Sequence, residues 1–136
     1  MECYRGSGSV GKEEIEGGGE LARRFDDFAP IKAVFWLKAS DSPYRYLYIA
    51  SDHINDSNFD IAYGEILRLA RQIQSPYINP FRVKVVNSGE PVAKAAVDIN
   101  QRFGGKKAIR LSEELFGGMS VDDVYIYPPL PLPAAS

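Results

Sequence analysis

A chain of 136 residues, 45% hydrophobic and 12% aromatic, carries enough apolar material for one core and too little length for several domains. Sixteen basic against eighteen acidic residues leave a formal charge of −2, which excludes a global attraction to nucleic acid or to an acidic membrane surface. A single cysteine, Cys3, excludes an internal disulfide framework, and neither a bilayer-spanning run nor a signal-peptide apolar region is present, so a soluble, cytoplasmic protein without membrane contact is expected.

Met1–Gly19 holds half of the twelve glycines and little that is apolar. That composition predicts a flexible tail over residues 1–19, because it offers too little burial to offset ordering entropy. Gly6-Ser7-Gly8-Ser9-Val10-Gly11-Lys12 matches the G-x-x-x-x-G-K spacing of a phosphate loop. The context a phosphate loop needs is missing: no strand fits in the five residues before it, and Glu13 replaces the hydroxyl that would hold magnesium. It reads as a Gly/Ser linker.

Leu21, Phe25 and Phe28 have helical spacing, so a short helix is predicted over Glu20–Phe28. Ile31–Ala39 and Arg45–Ser51 are rich in strand formers and flank a Ser40-Asp41-Ser42-Pro43 turn, which predicts an antiparallel pair. Alternation divides each strand: Ala33, Phe35 and Leu37 against Val34, Trp36 and Lys38, then Leu47 and Ile49 against Tyr46, Tyr48 and Ala50. We read these as one aliphatic face and one aromatic face with polar tips.

After the polar loop 52–58, Phe59–Gln74 is the best helical pattern in the chain. Phe59, Ala62, Tyr63, Ile66, Ala70 and Ile73 form its apolar stripe, with Ser57 and Asp60 spaced as a capping box. Arg82–Asn87 is a third strand. A strand–helix–strand unit of this length predicts parallel pairing through a right-handed crossover. A second main helix opens near Pro91, packs Val92, Ala95, Ala96, Ile99 and Phe103, and ends at Gly104-Gly105. Lys107–Leu111 reads as a short strand, Ser112–Phe116 as a single helical turn and Val121–Tyr127 as the last strand. The tail Pro128–Pro133 reads as polyproline II, with a P-x-x-P spacing.

The expected fold is therefore α+β, a two-layer sandwich of a mixed four- to five-stranded sheet and two main helices, in the order α-β-β-α-β-α-β-β. The expected organisation is one domain over 20–127 between tails 1–19 and 128–136.

Three chemistries are weighed. An aromatic sheet face would present Trp36, Lys38, Tyr46, Tyr48, Arg82, Lys84, Tyr125 and Tyr127. Such a face suits a homodimer or a protein partner, since Trp, Tyr and Arg are the usual interface anchors; the same inventory suits single-stranded nucleic acid, against which the pI of 5.4 counts. The loops 52–56 and 87–90 leave one sheet edge if their strands are parallel. Asp52, His53 and Asp56 would then meet Glu90, with His53, the only histidine, as general base or the acids as metal ligands. Nucleophilic catalysis would need Ser51, Ser57 or Ser88 beside His53, and no nucleophile elbow marks any of them. No cofactor or metal motif is read. The expectation is a non-enzymatic binding domain that self-associates through its aromatic face.

Overall fold

The computed structural model describes residues 10–103 and 107–129. Cys3, most of the phosphate-loop spacing, the Gly104-Gly105 stop and most of the proline tail lie outside the described residues. The elements are α1 (Lys12–Asp26), β1 (Ala33–Ala39), β2 (Arg45–Ser51), α2 (Phe59–Ile73), β3 (Val83–Asn87), α3 (Pro91–Arg102), β4 (Ile109–Phe116) and β5 (Met119–Ile126), with a 3-10 turn over Pro80–Arg82 just before β3. The α+β class, the mixed five-stranded sheet and the element order are those expected.

The strands lie in the order β3-β2-β1-β5-β4. β1 pairs antiparallel with β2 and β5, β5 pairs antiparallel with β4, and β2 pairs parallel with β3. The β2–α2–β3 unit is thus the parallel crossover expected from its length.

Helices lie on both faces, so the sheet forms the middle of three layers and the expected two-layer sandwich is corrected. α1 and α2 cover Val34, Trp36, Leu47, Ile49, Val83, Val85 and Tyr127. α3 lies on the other side, over a core of Ala33, Phe35, Leu37, Val124 and Ile126. Alternation along β1 produces this division: five consecutive buried residues, Ala33 to Leu37, need cover on both sides.

The largest correction concerns α1. It begins at Lys12, so residues 12–19 are helical rather than part of a flexible tail. Glu14 supports the start by accepting the Gly11 amide at 2.9 Å. The glycines let the helix approach its neighbours. A Cβ on Gly17 would lie 2.8 Å from Ile78 Cγ1, and one on Gly18 would lie 2.5 Å from the Tyr127 hydroxyl. The glycine run marks a contact surface, which composition alone reads as a linker.

Four smaller expectations also change. α2 has Asn58 at its N-cap without the capping box expected from Ser57 and Asp60, because the Ser57 hydroxyl binds Asn55 Oδ1 instead. Its buried stripe runs through Ala62, Ile66 and Leu69, and Phe59 is 43% exposed. α3 buries Val92, Ala93, Ala96 and Asn100, while Phe103 points out. Residues 112–116 continue β4 instead of forming a helical turn, since they pair with β5 through Ser112↔Asp123 and Phe116↔Met119.

The β4–β5 turn also fixes α3. Gly117 sits at φ 60°, and a Cβ there would lie 2.7 Å from the Val92 nitrogen. Both the left-handed backbone and the close approach require glycine.

Candidate functional site

Register decides where each predicted site residue goes. Trp36 stands opposite Leu47 and Tyr125, whereas Phe35 stands opposite Tyr48 and Leu37 opposite Tyr46. The single aromatic face is therefore divided. Trp36, Lys38, Tyr125 and Tyr127 fall on the side of α1 and α2; Tyr46, Tyr48 and Lys84 fall on the side of α3.

On the α1 side, aromatic groups serve the core. Trp36 is 4% exposed and donates its indole N–H to the Tyr127 hydroxyl at 3.0 Å, which donates in turn to the Ile15 carbonyl at 2.6 Å. Burial pushes the Tyr127 phenol well above the ordinary tyrosine range, so it stays a neutral donor. Tyr125 meets Tyr127 edge-on at 5.1 Å and carries Arg110 over its ring at 4.9 Å. Lys38 is tied to Asp122 at 2.6 Å, and its ammonium, followed by the Ser40 hydroxyl, holds that carboxyl below its usual range. Trp36 and Tyr127 are thus not interface anchors: α1 already occupies the place a partner would take.

On the other side, α3 packs on β1, β4 and β5 and leaves the β2–β3 half of the face with less cover. There the strands set rings and cations alternately. The Arg82 guanidinium lies 3.5 Å from the centroid of Tyr44, and the Lys84 ammonium lies 4.6 Å from Tyr46 and 5.6 Å from Tyr48. Tyr48 is the inner end of this strip. It stacks on Phe35 at 5.0 Å and is buried, which raises its phenol above the ordinary value, with Tyr46 adding to the effect. Tyr44 is 45% exposed, Tyr46 and Arg82 are half-buried and Lys84 is exposed. No carboxylate pairs with Arg82 or Lys84 among the described residues. Tyr44, in the bend just before β2, joins this strip through Arg82 and is absent from the set expected from the sequence.

The loops after β2 and β3 do leave one edge, as parallel pairing requires. They border a cleft of about 410 Å3 lined by Lys32, Asp52, Asn87, Ser88 and, from α3, Lys94 and Asp98. Of the predicted catalytic residues only Asp52 lines it. The Ser88 hydroxyl donates to Asp52, and that bond, with Lys32 at 3.6 Å, holds the carboxyl below its usual range. A carboxylate kept ionised in this way is a weak proton acceptor at neutral pH. His53, Asp56 and Glu90 are exposed and outside the lining, Glu90 standing at the α3 N-cap position without a side-chain capping bond. The His53 backbone is held at both ends, its amide by Ser51 Oγ and its carbonyl by Asn58 Nδ2, so the loop is built around hydrogen-bonded turns. The described residues hold no group of three or more histidine, cysteine or acidic side chains arranged for a metal ion. No helix among them is long and apolar enough to cross a membrane.

The phosphate-loop spacing also finds its place. Val10 is buried in the α1–α2 core, Gly11 is the α1 N-cap and Lys12 opens the helix, where Glu13 and Glu14 already complement the helix dipole. Comparison of this chain with protein-family models, with curated proteins and with solved structures finds no match.

Proposed function

We propose that the protein is a non-enzymatic binding domain whose partner docks on the strip formed by Tyr44, Tyr46, Arg82 and Lys84. The observation that carries this reading is the charge of the strip. Two cations lie over tyrosine rings on the thinly covered half of the sheet, and neither has a carboxylate partner among the described residues. Aromatic side chains with few rotatable bonds, set among unpaired cations, form a surface that gains from a partner bearing carboxylates.

The self-association expected from the sequence drew on Trp36 and Tyr127, which lie beneath α1. The reduced strip carries charges of one sign, so a second copy of the same strip brings like charges together, and an acidic partner fits better. Nucleic acid fits less well, because the cations lie over the ring faces on which bases would stack.

Amide NMR during titration with poly-L-glutamate tests this. Shifts are expected to cluster at residues 44–48 and 82–86 and to vanish in Arg82→Glu with Lys84→Glu. Shifts centred instead on Lys32 and Lys94 would move the site to the cleft and defeat the reading. Light scattering on the same samples is expected to give a monomer. A dimer dissolved by Lys84→Glu would restore self-association as the use of the strip.

A further inference from the structure

The two edges of the sheet are unlike. β4 runs unbroken over Ile109–Phe116, but it carries Glu113, in left-handed backbone at φ 52°, and Glu114. Charged side chains along a strand guard an edge against added strands. β3 is regular over its five residues, Val83–Asn87. Its one lysine, Lys84, is drawn over the Tyr46 and Tyr48 rings and away from the edge.

The backbone of β3 has groups to offer. Ser88 donates to the Ser51 carbonyl, so by alternation Lys84 and Val86 turn their amides toward β2. Val85 and Asn87 then turn theirs outward. The Val83 amide is taken by Pro80 and the Asn87 carbonyl by Glu90. This leaves the Val83 carbonyl, both groups of Val85 and the Asn87 amide facing out, with no backbone partner among the described residues.

The side chains flanking this edge sort by face. On the α2 side lies a groove of about 410 Å3 formed by Leu67, Ala70, Arg71, Ile78, Pro80 and Phe81, the last 76% exposed. By helical spacing Leu67 lies on the far side of α2 from Gln72, which meets Arg24 of α1, so the groove opens past β3 and not between the helices. The Tyr63 hydroxyl pins its floor by donating to the Pro80 carbonyl at 2.5 Å. On the opposite face of the same edge stand Arg82 and Lys84.

We propose that the outer edge of β3 takes an extended peptide in which apolar and acidic side chains alternate. An added strand projects successive side chains to opposite faces. One set enters the Leu67–Phe81 groove, and the other meets Arg82 and Lys84. Charge selects the occupant: the β3 segment itself contains no acid, so pairing β3 with its own copy leaves these cations unmet. The inference rests on the proposed binding strip for its acidic half only.

The test uses the full chain and a fluorescein-labelled peptide alternating glutamate with leucine, followed by anisotropy. Saturable binding is expected, weakened roughly tenfold or more by Phe81→Ser and by Arg82→Glu, each checked for fold by circular dichroism. Methylating the leucine amides or the glutamate amides separately is expected to abolish binding in one case only, since one set faces β3 and the other faces solvent. Equal loss or equal retention in both would overturn strand addition. A twin with serine for leucine that binds as tightly as the parent, with Phe81→Ser silent, would overturn the groove and leave the acidic strip standing. A twin with lysine for glutamate that binds as well as the parent would overturn both.

Discussion

Gly18→Ala is expected to destabilise the fold by roughly 2–4 kcal/mol, although alanine is the better helix former. The sign follows from what the new methyl meets. A Cβ at residue 18 would lie 2.5 Å from the Tyr127 hydroxyl and 3.1 Å from Trp36 Nε1. That hydroxyl cannot retreat cheaply. It accepts from Trp36 and donates to the Ile15 carbonyl, and Tyr127 is buried. Moving it breaks both bonds in a region where water cannot replace them; moving α1 instead opens the core beneath. Gly64 in α2 is the control. Nothing lies within 4 Å of a Cβ built there, so Gly64→Ala should stabilise the protein by about 0.5–1 kcal/mol through helix propensity alone. Urea midpoints measured by far-ultraviolet circular dichroism would separate the two. A Gly18→Ala midpoint at or above the wild-type value would mean that α1 does not approach the sheet as described. Adding Tyr127→Phe should return part of the loss, because the two changes act on the same contact.

The glycine run shows where the sequence stops being legible. Residues 17–19 carry no pattern that separates a linker from a helix pressed against a sheet; the distinction lies in Tyr127 and Ile78, which are distant in the chain. The strands other than the second half of β4, and the helices α2 and α3, were legible because periods of 2.0 and 3.6 are local properties. The parallel pairing of β2 with β3 followed from connection length. Face assignment between strands was not legible. Alternation gives two sides within each strand, but the register between strands decides which sides coincide, and Phe35↔Tyr48 puts Tyr48 on the face away from Trp36. Hence only part of the predicted set shares one face. Tyr46, Tyr48 and Lys84 share a surface strip, whereas Trp36 and Tyr127 lie under a helix that composition had read as a tail. β4 was misread for a related reason: Ser112-Glu113-Glu114 has weak strand propensity, and pairing with β5 holds it in the sheet despite a left-handed Glu113.

Trp36→Ala is expected to cost roughly 3–5 kcal/mol and to leave the association state of the folded fraction unchanged. Trp36 is 4% exposed between Leu47, Tyr125 and α1, so truncation opens a large cavity and removes the indole donor from Tyr127. An interface tryptophan behaves in the opposite way: its loss weakens association and spares the stability of the monomer. The two roles therefore separate in a pair of measurements, a urea midpoint and a light-scattering mass. The chain has one tryptophan, so wild-type fluorescence reports this site alone. Its emission should begin in the short-wavelength range of a buried indole and shift red in the same transition seen by circular dichroism. Lys84→Glu provides the contrast. It reverses a charge on an exposed side chain and should leave the urea midpoint nearly unmoved while abolishing binding to poly-L-glutamate. A Trp36→Ala variant of near wild-type stability that converts a dimer to a monomer would place the indole at an interface and overturn the α1 packing. A large stability loss with binding retained in the folded fraction would leave Trp36 to the core and recognition to the tyrosine strip on the opposite face.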